Sequence, residues 1–406
     1  MPHVPTPRTD SEDPAPIPLA RPDLGEAEAN AARRALLSRW VSQGPETRAF
    51  ESEFAARLGS AHAVAVSNCT TGLELVLQAL EVAGREVVTV SASFIAGASA
   101  IRRAGARPIF VDIESVGYNI DPARAREAIG PDTAAILVVH QLGMPCDLEA
   151  LTDLAAEAGV PLIEDAACAA GSEIQWQGAW EPVGRPRGIA ACFSFHPRKV
   201  ITTGEGGIIT TGDRELADRL RRLRNHGVDL DADRRHPSQK ERYLEPGCNA
   251  RLSDIQAAVG RVQLGRLDEL VARRRYLAEG YRQRLGSIEG LRLPQEPAGA
   301  RTNWQSFCVT LPDHAVQSLV ITALARRGIA SRPGVMCAHR EPAYPAGTWS
   351  CRPGQARCEC GDSCSRLRNS ELAQDRGLLL PLFAQMTDDD QDRVAAALAS
   401  ACAAEA

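Results

Sequence analysis

The stretch from residue 62 to residue 211 constrains this chain most, because two apolar patterns alternate along it. Short, nearly continuous apolar runs recur: HAVAV (62–66), EVVTV (86–90), RPIFVDI (107–113), AAILVVH (134–140), VPLIEDA (160–166), IAACFSF (189–195) and GGIITT (206–211). Segments with helical spacing lie between most of them, for example TTGLELVLQALEVAG (70–84) and DLEALTDLAAEAG (147–159). A strand that is apolar along its whole length has to be covered on both faces. Strands of that kind separated by helices predict an α/β fold with a mostly parallel, seven-stranded sheet. Ligands of such sheets bind beyond the C-terminal ends of the strands. That rule singles out Asp165, which ends one strand, and Ser194 and Lys199, at and just past the end of another.

The rest of the chain is organised around this unit. Residues 252–286 read as one long amphipathic helix, its apolar residues at helical spacing. It is expected to link a large domain (17–265) to a smaller α+β C-terminal domain (266–406). The latter holds a strand at FCVTL (307–311), a helix at 315–327, a Cys/Gly/Pro-rich loop and a final helix at 388–402. Residues 1–16 are Pro-rich and polar and read as a disordered lead-in. They lack the apolar core of a secretory signal, so the protein is expected in the cytoplasm. A formal net charge of −5 gives no electrostatic reason to expect nucleic acid or a membrane, and no apolar run is long enough to span one. In a reducing compartment the twelve cysteines read by default as free thiols, Cys69, Cys168 and Cys192 among them.

The strand-end residues gain meaning together. SNCTTG places backbone N–H groups and the hydroxyls of Thr70 and Thr71 at the start of a helix, an arrangement suited to a phosphate monoester. Asp165 is a carboxylate at the end of a buried strand, where a lone charge is costly unless paired. Lys199, on an apolar background, is expected to have its pKa lowered by desolvation and to serve as a nucleophilic amine. Phosphate grip, partner for a protonated ring nitrogen, and amine describe a site for pyridoxal 5′-phosphate (PLP). Each residue also has a plainer reading. The lysine could be a solvated loop residue, the aspartate a helix N-cap, and SNCTTG an ordinary helix start. A nucleotide-binding α/β protein is a poorer fit, since the chain has neither G-x-G-x-x-G after a strand nor G-x4-G-K-[ST].

The sequence resembles the nucleotide-sugar aminotransferases of the DegT/StrS type, which are fold-type I PLP-dependent transferases. The stretches that carry the resemblance include IPLARPDLGEAE, WVSQGPETRAFESEFAARLG, AVAVSNCTTGLELVLQAL, LIEDAACAAGSEI, FSFHPRKVITTGEGGIITT and NARLSDIQAAVGRVQL, in the expected order over about residues 17–285. The resemblance implies that Lys199 holds PLP covalently and moves protons, and that Asp165 pairs with the pyridine nitrogen. It implies that Ser194, Thr70 and Thr71 bind the phosphate and that Phe94 stacks on the ring. Asn249 would reach the phosphate from the partner subunit of a homodimer. The implied reaction is ping-pong, from L-glutamate or L-glutamine through pyridoxamine phosphate (PMP) to a nucleotide-linked keto-sugar. A ketocyclitol or another natural-product ketone is the alternative acceptor, in antibiotic or cell-surface glycan biosynthesis. Relatives that are sugar dehydratases carry histidine in place of the lysine. Lys199 therefore favours the aminotransferase, and the intact Lys199, Asp165 and Ser194 set argues against a non-catalytic PLP-binding regulator. His196, Arg332, His339 and Tyr344 are the candidate substrate contacts.

Two features depart from the family pattern. Cys168 stands three residues after Asp165, where relatives place Gln or His against the phenolic oxygen of PLP. A thiol makes the weaker hydrogen bond. The segment 346–371 crowds Cys351, Cys358, Cys360 and Cys364 into a loop that interrupts the acceptor region. Their C-x6-C-x-C-x3-C spacing lacks paired C-x2-C, so no metal is expected, and zinc held by these four is the alternative.

Overall fold

A computed structural model describes residues 15–229, 240–355 and 363–403. Nine strands come first: β1 (His62–Val66), β2 (Glu86–Val90), β3 (Arg107–Val111), β4 (Thr133–Val139), β5 (Leu162–Asp165), β6 (Glu173–Trp176), β7 (Ala179–Pro182), β8 (Ala190–Ser194) and β9 (Gly207–Thr211). Seven of them form one sheet in the order β1-β9-β8-β5-β4-β2-β3. β2, β3, β4, β5 and β8 run parallel, and β9 runs antiparallel to both β1 and β8. The apolar runs of the sequence are these strands. β2, β4 and β9 are buried along their whole length, as two covered faces require.

Helices pack on this sheet and fix its loops. The helix Pro45–Leu58 sends Phe50 and Phe54 beneath the end of β8. Their rings lie 5.3 and 5.7 Å from that of Phe195, and Phe54 lies 5.1 Å from Phe193. All four rings are fully buried, so the chain leaves β8 towards Lys199 from a rigid aromatic base.

Four further strands, β10 (Ala300–Arg301), β11 (Phe307–Thr310), β12 (Arg332–Pro333) and β13 (Gly377–Leu380), complete two small sheets. β11, β13 and β12 form one antiparallel sheet, and β10 extends the β6–β7 hairpin. A second buried cluster, distinct from that of the large sheet, gathers Tyr281, Phe307, Leu324, Leu380 and Leu398.

The single helix expected over 252–286 is two helices, Asp254–Gly265 and Leu267–Leu285. Arg266 joins them with φ −99 and ψ 0. Glycine is a poor helix former, and Arg266 is held outside the helical line by Asp23 and Glu28 at 2.7 and 3.2 Å. The hydrophobic period survives such a break, which is why the sequence reads through it. Among the described residues no helix is long and apolar enough to cross a membrane. Cys351 and Cys364 are buried beside Phe110 and Trp349, while Cys358 and Cys360 lie outside the described residues. Most of the lead-in expected over 1–16 also lies outside them.

Candidate active site

Lys199 sits in the loop between β8 and β9. Its N–H donates to the His196 carbonyl at 2.9 Å, and the Arg198 N–H donates to His196 Nδ1 at 3.2 Å. His196 is exposed and ties this turn. The loop closes over Phe195, whose carbonyl accepts from Thr202 Oγ1 at 2.7 Å and from the Thr203 N–H at 3.0 Å. Gly204, at φ +81, makes the return turn. Gly207 starts β9 so close to the neighbouring turn that a Cβ there would lie 2.7 Å from both Asn68 C and Cys69 N.

The Lys199 amine lies 3.1 Å from Cys168 Sγ. Burial pushes that amine down, as the sequence implied. Cys168 first, then Asp165 and Cys69, oppose it, and the net direction is upward. The expected lowering is therefore corrected: the amine lies beside Cys168, Asp165 and Cys69 and not against apolar surface alone.

Asp165 ends β5 and is buried. One of its oxygens accepts from the Ala167 N–H at 3.0 Å. Burial pushes its carboxyl upward; the Ala167 N–H, Lys199, His140 and Cys69 draw it partly back. His140 is fully buried between strand ends, with Nε2 3.2 Å from Glu164 Oε2 and Nδ1 accepting from the Cys146 N–H at 3.0 Å.

Opposite Lys199, the helix Cys69–Ala79 points its N-terminus into the site. Asn68 caps it, its side-chain oxygen accepting from the Thr71 N–H at 2.9 Å and from Thr71 Oγ1 at 3.0 Å. The first-turn amides of Cys69 and Thr70 have no intrahelical partner. Ser194, at the end of β8, pairs across the sheet with Gly207, which packs on this same turn. Phe94 is 72% exposed.

The structure thus brings together Lys199, Asp165, Cys168, Ser194 and the Thr70/Thr71 turn. Asn249 is exposed, although the next carbonyl, that of Ala250, accepts from the Ser67 N–H at 2.8 Å beside the same turn. His339 and Tyr344 are elsewhere than the sequence suggested. The His339 side chain has no exposure, with Nδ1 2.6 Å from Ser91 Oγ and Nε2 3.1 Å from Glu371. Tyr344 is buried with its hydroxyl 3.1 Å from Ser99 Oγ. Both fasten the 337–349 segment to the large sheet, as polar groups that lose water must find partners. Arg332 is exposed on β12. Two residues outside the sequence-derived set also stand here: the cap Asn68, legible in SNCTTG, and Arg198, adjacent to the lysine.

A sequence model described as the DegT/DnrJ/EryC1/StrS aminotransferase family matches residues 22–399. The chain belongs to this family. Solved structures agree with the aminotransferase along nearly its full length. The aminotransferase TlmJ from Streptoalloteichus hindustanus is 35% identical, with TM-score 0.85 over 96% of this chain and 99% of its own. DesV of S. venezuelae, solved in complex with a ketimine intermediate, is 32% identical, with TM-score 0.83 over 96% and 99%. DesI, solved in the presence of its TDP-sugar product, is 32% identical, with TM-score 0.81 over 96% and 93%.

The fold is that of the PLP-dependent aminotransferases, and PLP is the cofactor of this enzyme. The site fits it: a half-buried amine, a buried carboxyl that lacks a full cation partner, and a capped helix N-terminus with unclaimed amides.

Proposed function

We propose that this aminotransferase moves an amino group from L-glutamate or L-glutamine to a keto group of a nucleotide-linked sugar. The observation that carries this reading is the half-buried Lys199 beside Cys168 and Asp165, with the Cys69 helix N-terminus next to the same carboxylate. The likeness to DesI, whose structure includes a TDP-sugar product, supports the acceptor class.

When bound, PLP supplies a carbonyl that takes up the donor's amino group and an electron-withdrawing ring that lowers the barrier to losing the α-proton. The chain's own residues do the rest. Lys199 would hold the cofactor's aldehyde carbon and would be the base that moves the proton at the substrate carbon. Asp165 holds a proton on the ring nitrogen; its buried carboxylate gains the cation that it otherwise lacks. The Cys69 and Thr70 amides, the Thr70 and Thr71 hydroxyls and Ser194 take the phosphate, with the helix dipole favouring its charge. Phe94 would stack on the ring. Cys168, beside the Lys199 amine, meets the phenolic oxygen through a weak thiol hydrogen bond.

The enzyme works as a homodimer with Asn249 completing the partner's phosphate site. Leu36, Leu37, Trp40 and Val41 support this: they are 45–67% exposed in one contiguous segment, an apolar patch of the kind a second copy covers.

Trapping tests the reading. The sequence holds two lysines, Lys199 and Lys240, and Lys240 is exposed. Borohydride reduction of the yellow protein should fix a pyridoxyl group on the Lys199 peptide. Incubation with L-glutamate and nucleotide-linked keto-sugars should give an amino-sugar by mass spectrometry. A pyridoxyl group on Lys240 alone, or no amination of any keto-sugar, contradicts it.

A further inference from the structure

Phe94 is 72% exposed, so packing does little to fix its ring, and its place is set by the backbone on either side. One segment, residues 336–344, pins that backbone both before and after it. The Ser91 carbonyl accepts from the Ala338 N–H at 2.9 Å, Ala92 pairs with Cys337 across an antiparallel bridge, and the Ser93 N–H donates to the Met336 carbonyl at 3.0 Å. The helix that follows, Ala96–Arg103, is tied to the same segment through Ser99 and Tyr344, whose hydroxyl oxygens lie 3.1 Å apart. A Cβ on Gly97, in the first turn of this helix, would lie 3.9 Å from Asp165 Oδ2, so the pinned stretch borders the site.

A line of buried side chains secures the near side of Phe94. Ser91 Oγ accepts from the His339 N–H at 3.2 Å and lies 2.6 Å from His339 Nδ1. A hydroxyl that accepts there has its own hydrogen to donate, so Nδ1 is the acceptor and Nε2 carries the ring hydrogen. Nε2 donates to Glu371 Oε1 at 3.1 Å. Burial holds the imidazole below its usual value against the pull of Glu371, which keeps it in the neutral form that this pattern requires. Glu371 is fixed in turn. Its Oε1 also accepts from the Cys364 N–H at 2.6 Å, and its Oε2 accepts from Ser363 Oγ at 2.9 Å and pairs with Arg340 at 3.1 Å. Ser91, His339 and Glu371 are all buried. Buried polar groups matched in this way hold one geometry, because moving any of them leaves another unpaired.

We propose that Glu371, His339 and Ser91 form a brace that sets the Phe94 ring against the face of PLP. The inference rests on the stacking role given to Phe94 above. His339 is a positioning residue: it acts through Ser91 and the backbone that leads from Ser91 to Phe94.

Fluorescence titration of the apoprotein with PLP and visible circular dichroism of the holoenzyme test this in Ser91→Ala, His339→Leu and His339→Asn, each with and without Phe94→Ala. Phe94→Ala alone should weaken PLP about tenfold, as loss of an aromatic stack does. Ser91→Ala and His339→Leu should each weaken it about three- to tenfold and change the dichroism of the cofactor band. Ser91→Ala deletes a single hydroxyl and decides the matter should His339→Leu not fold. His339→Asn, whose side-chain oxygen stands where Nδ1 accepts from Ser91, should recover part of the loss. Combined with Phe94→Ala, the brace variants should add less than about twofold, because no ring is left to place. Wild-type dichroism and PLP affinity in Ser91→Ala would overturn the brace. So would its full loss repeated beside Phe94→Ala, the additive result expected of residues that only hold the fold. Wild-type PLP affinity in Phe94→Ala would overturn the stacking role itself, and the brace with it.

Discussion

Lys199 illustrates how a single residue's chemistry depends on what surrounds it. Its position past β8 was legible, since a polar residue just after an apolar run stands out. Its surroundings were not, because Cys168, Asp165 and Cys69 come from three other segments and meet it only in the folded chain. Asp165→Asn keeps the shape and removes the charge. It should lower turnover roughly 10²- to 10³-fold, as loss of a preorganised charge does, with PLP still bound. Cys168→Ala should cost less than tenfold, because the contact it removes is a weak one; a loss equal to that of Lys199→Ala would refute the weak-contact assignment. Steady-state kinetics with saturating PLP compares the three. Glu114 offers a pH test away from this chemistry. It lines a cavity of about 540 Å³ whose walls include Tyr118 and Trp304 but not Lys199 or Asp165. Burial, then Asp121 and Asp147, raise its carboxyl from 4.5 to about 7. A carboxyl raised on folding favours the fold while protonated, fully below pH 4.5 and progressively less as pH rises through about 7. Thermal stability should therefore fall between those limits more in the wild type than in Glu114→Gln, and parallel melting curves across that range would contradict this.

At the scale of elements, the strands were the most legible part. A strand covered on both faces must be apolar throughout, and its period survives any change of neighbours. The β6–β7 hairpin, with EIQW and AWEP half exposed, had no such signal. The break at Arg266 was hidden because the apolar period continues through it, while the Asp23 and Glu28 contacts that hold it are remote in sequence. His339 and Tyr344 looked like site residues for the same reason in reverse. A histidine and a tyrosine in a polar, Pro-rich segment give no sign of their burial, which depends on Ser91, Ser99 and Glu371. The glycines of TTGEGG are a positive case, read as turn formers that let the backbone come close. Gly207→Ala puts a Cβ 2.7 Å from the backbone that starts the helix Cys69–Ala79. It should weaken PLP binding at least tenfold, since backbone there cannot yield as a side chain tip can. Fluorescence titration of the apoprotein with PLP measures it, and wild-type affinity would contradict the close-approach argument. Phe195→Ala, which empties the aromatic base of the lysine loop, should cost about 3–5 kcal/mol by denaturant unfolding.

At the scale of the whole molecule, the proposed homodimer would have two chains share each site. Asn249 and the apolar segment 36–41 face outward. If the sites are shared, Lys199→Ala and Asn249→Ala damage different halves of each one. Mixing the two inactive variants after dissociation should then restore about a quarter of wild-type activity, from the half of dimers that are mixed and the one intact site in each. No recovery would mean that each chain builds its site alone. The central claim is simpler and needs only the purified protein. Mix the yellow holoenzyme with L-glutamate, with no acceptor present, and record the visible band and the 2-oxoglutarate formed. The account predicts that the band disappears as one equivalent of 2-oxoglutarate per site is released, and that Lys199→Ala does neither. A band that persists with both L-glutamate and L-glutamine, or one that Lys199→Ala loses just as fast, would contradict it.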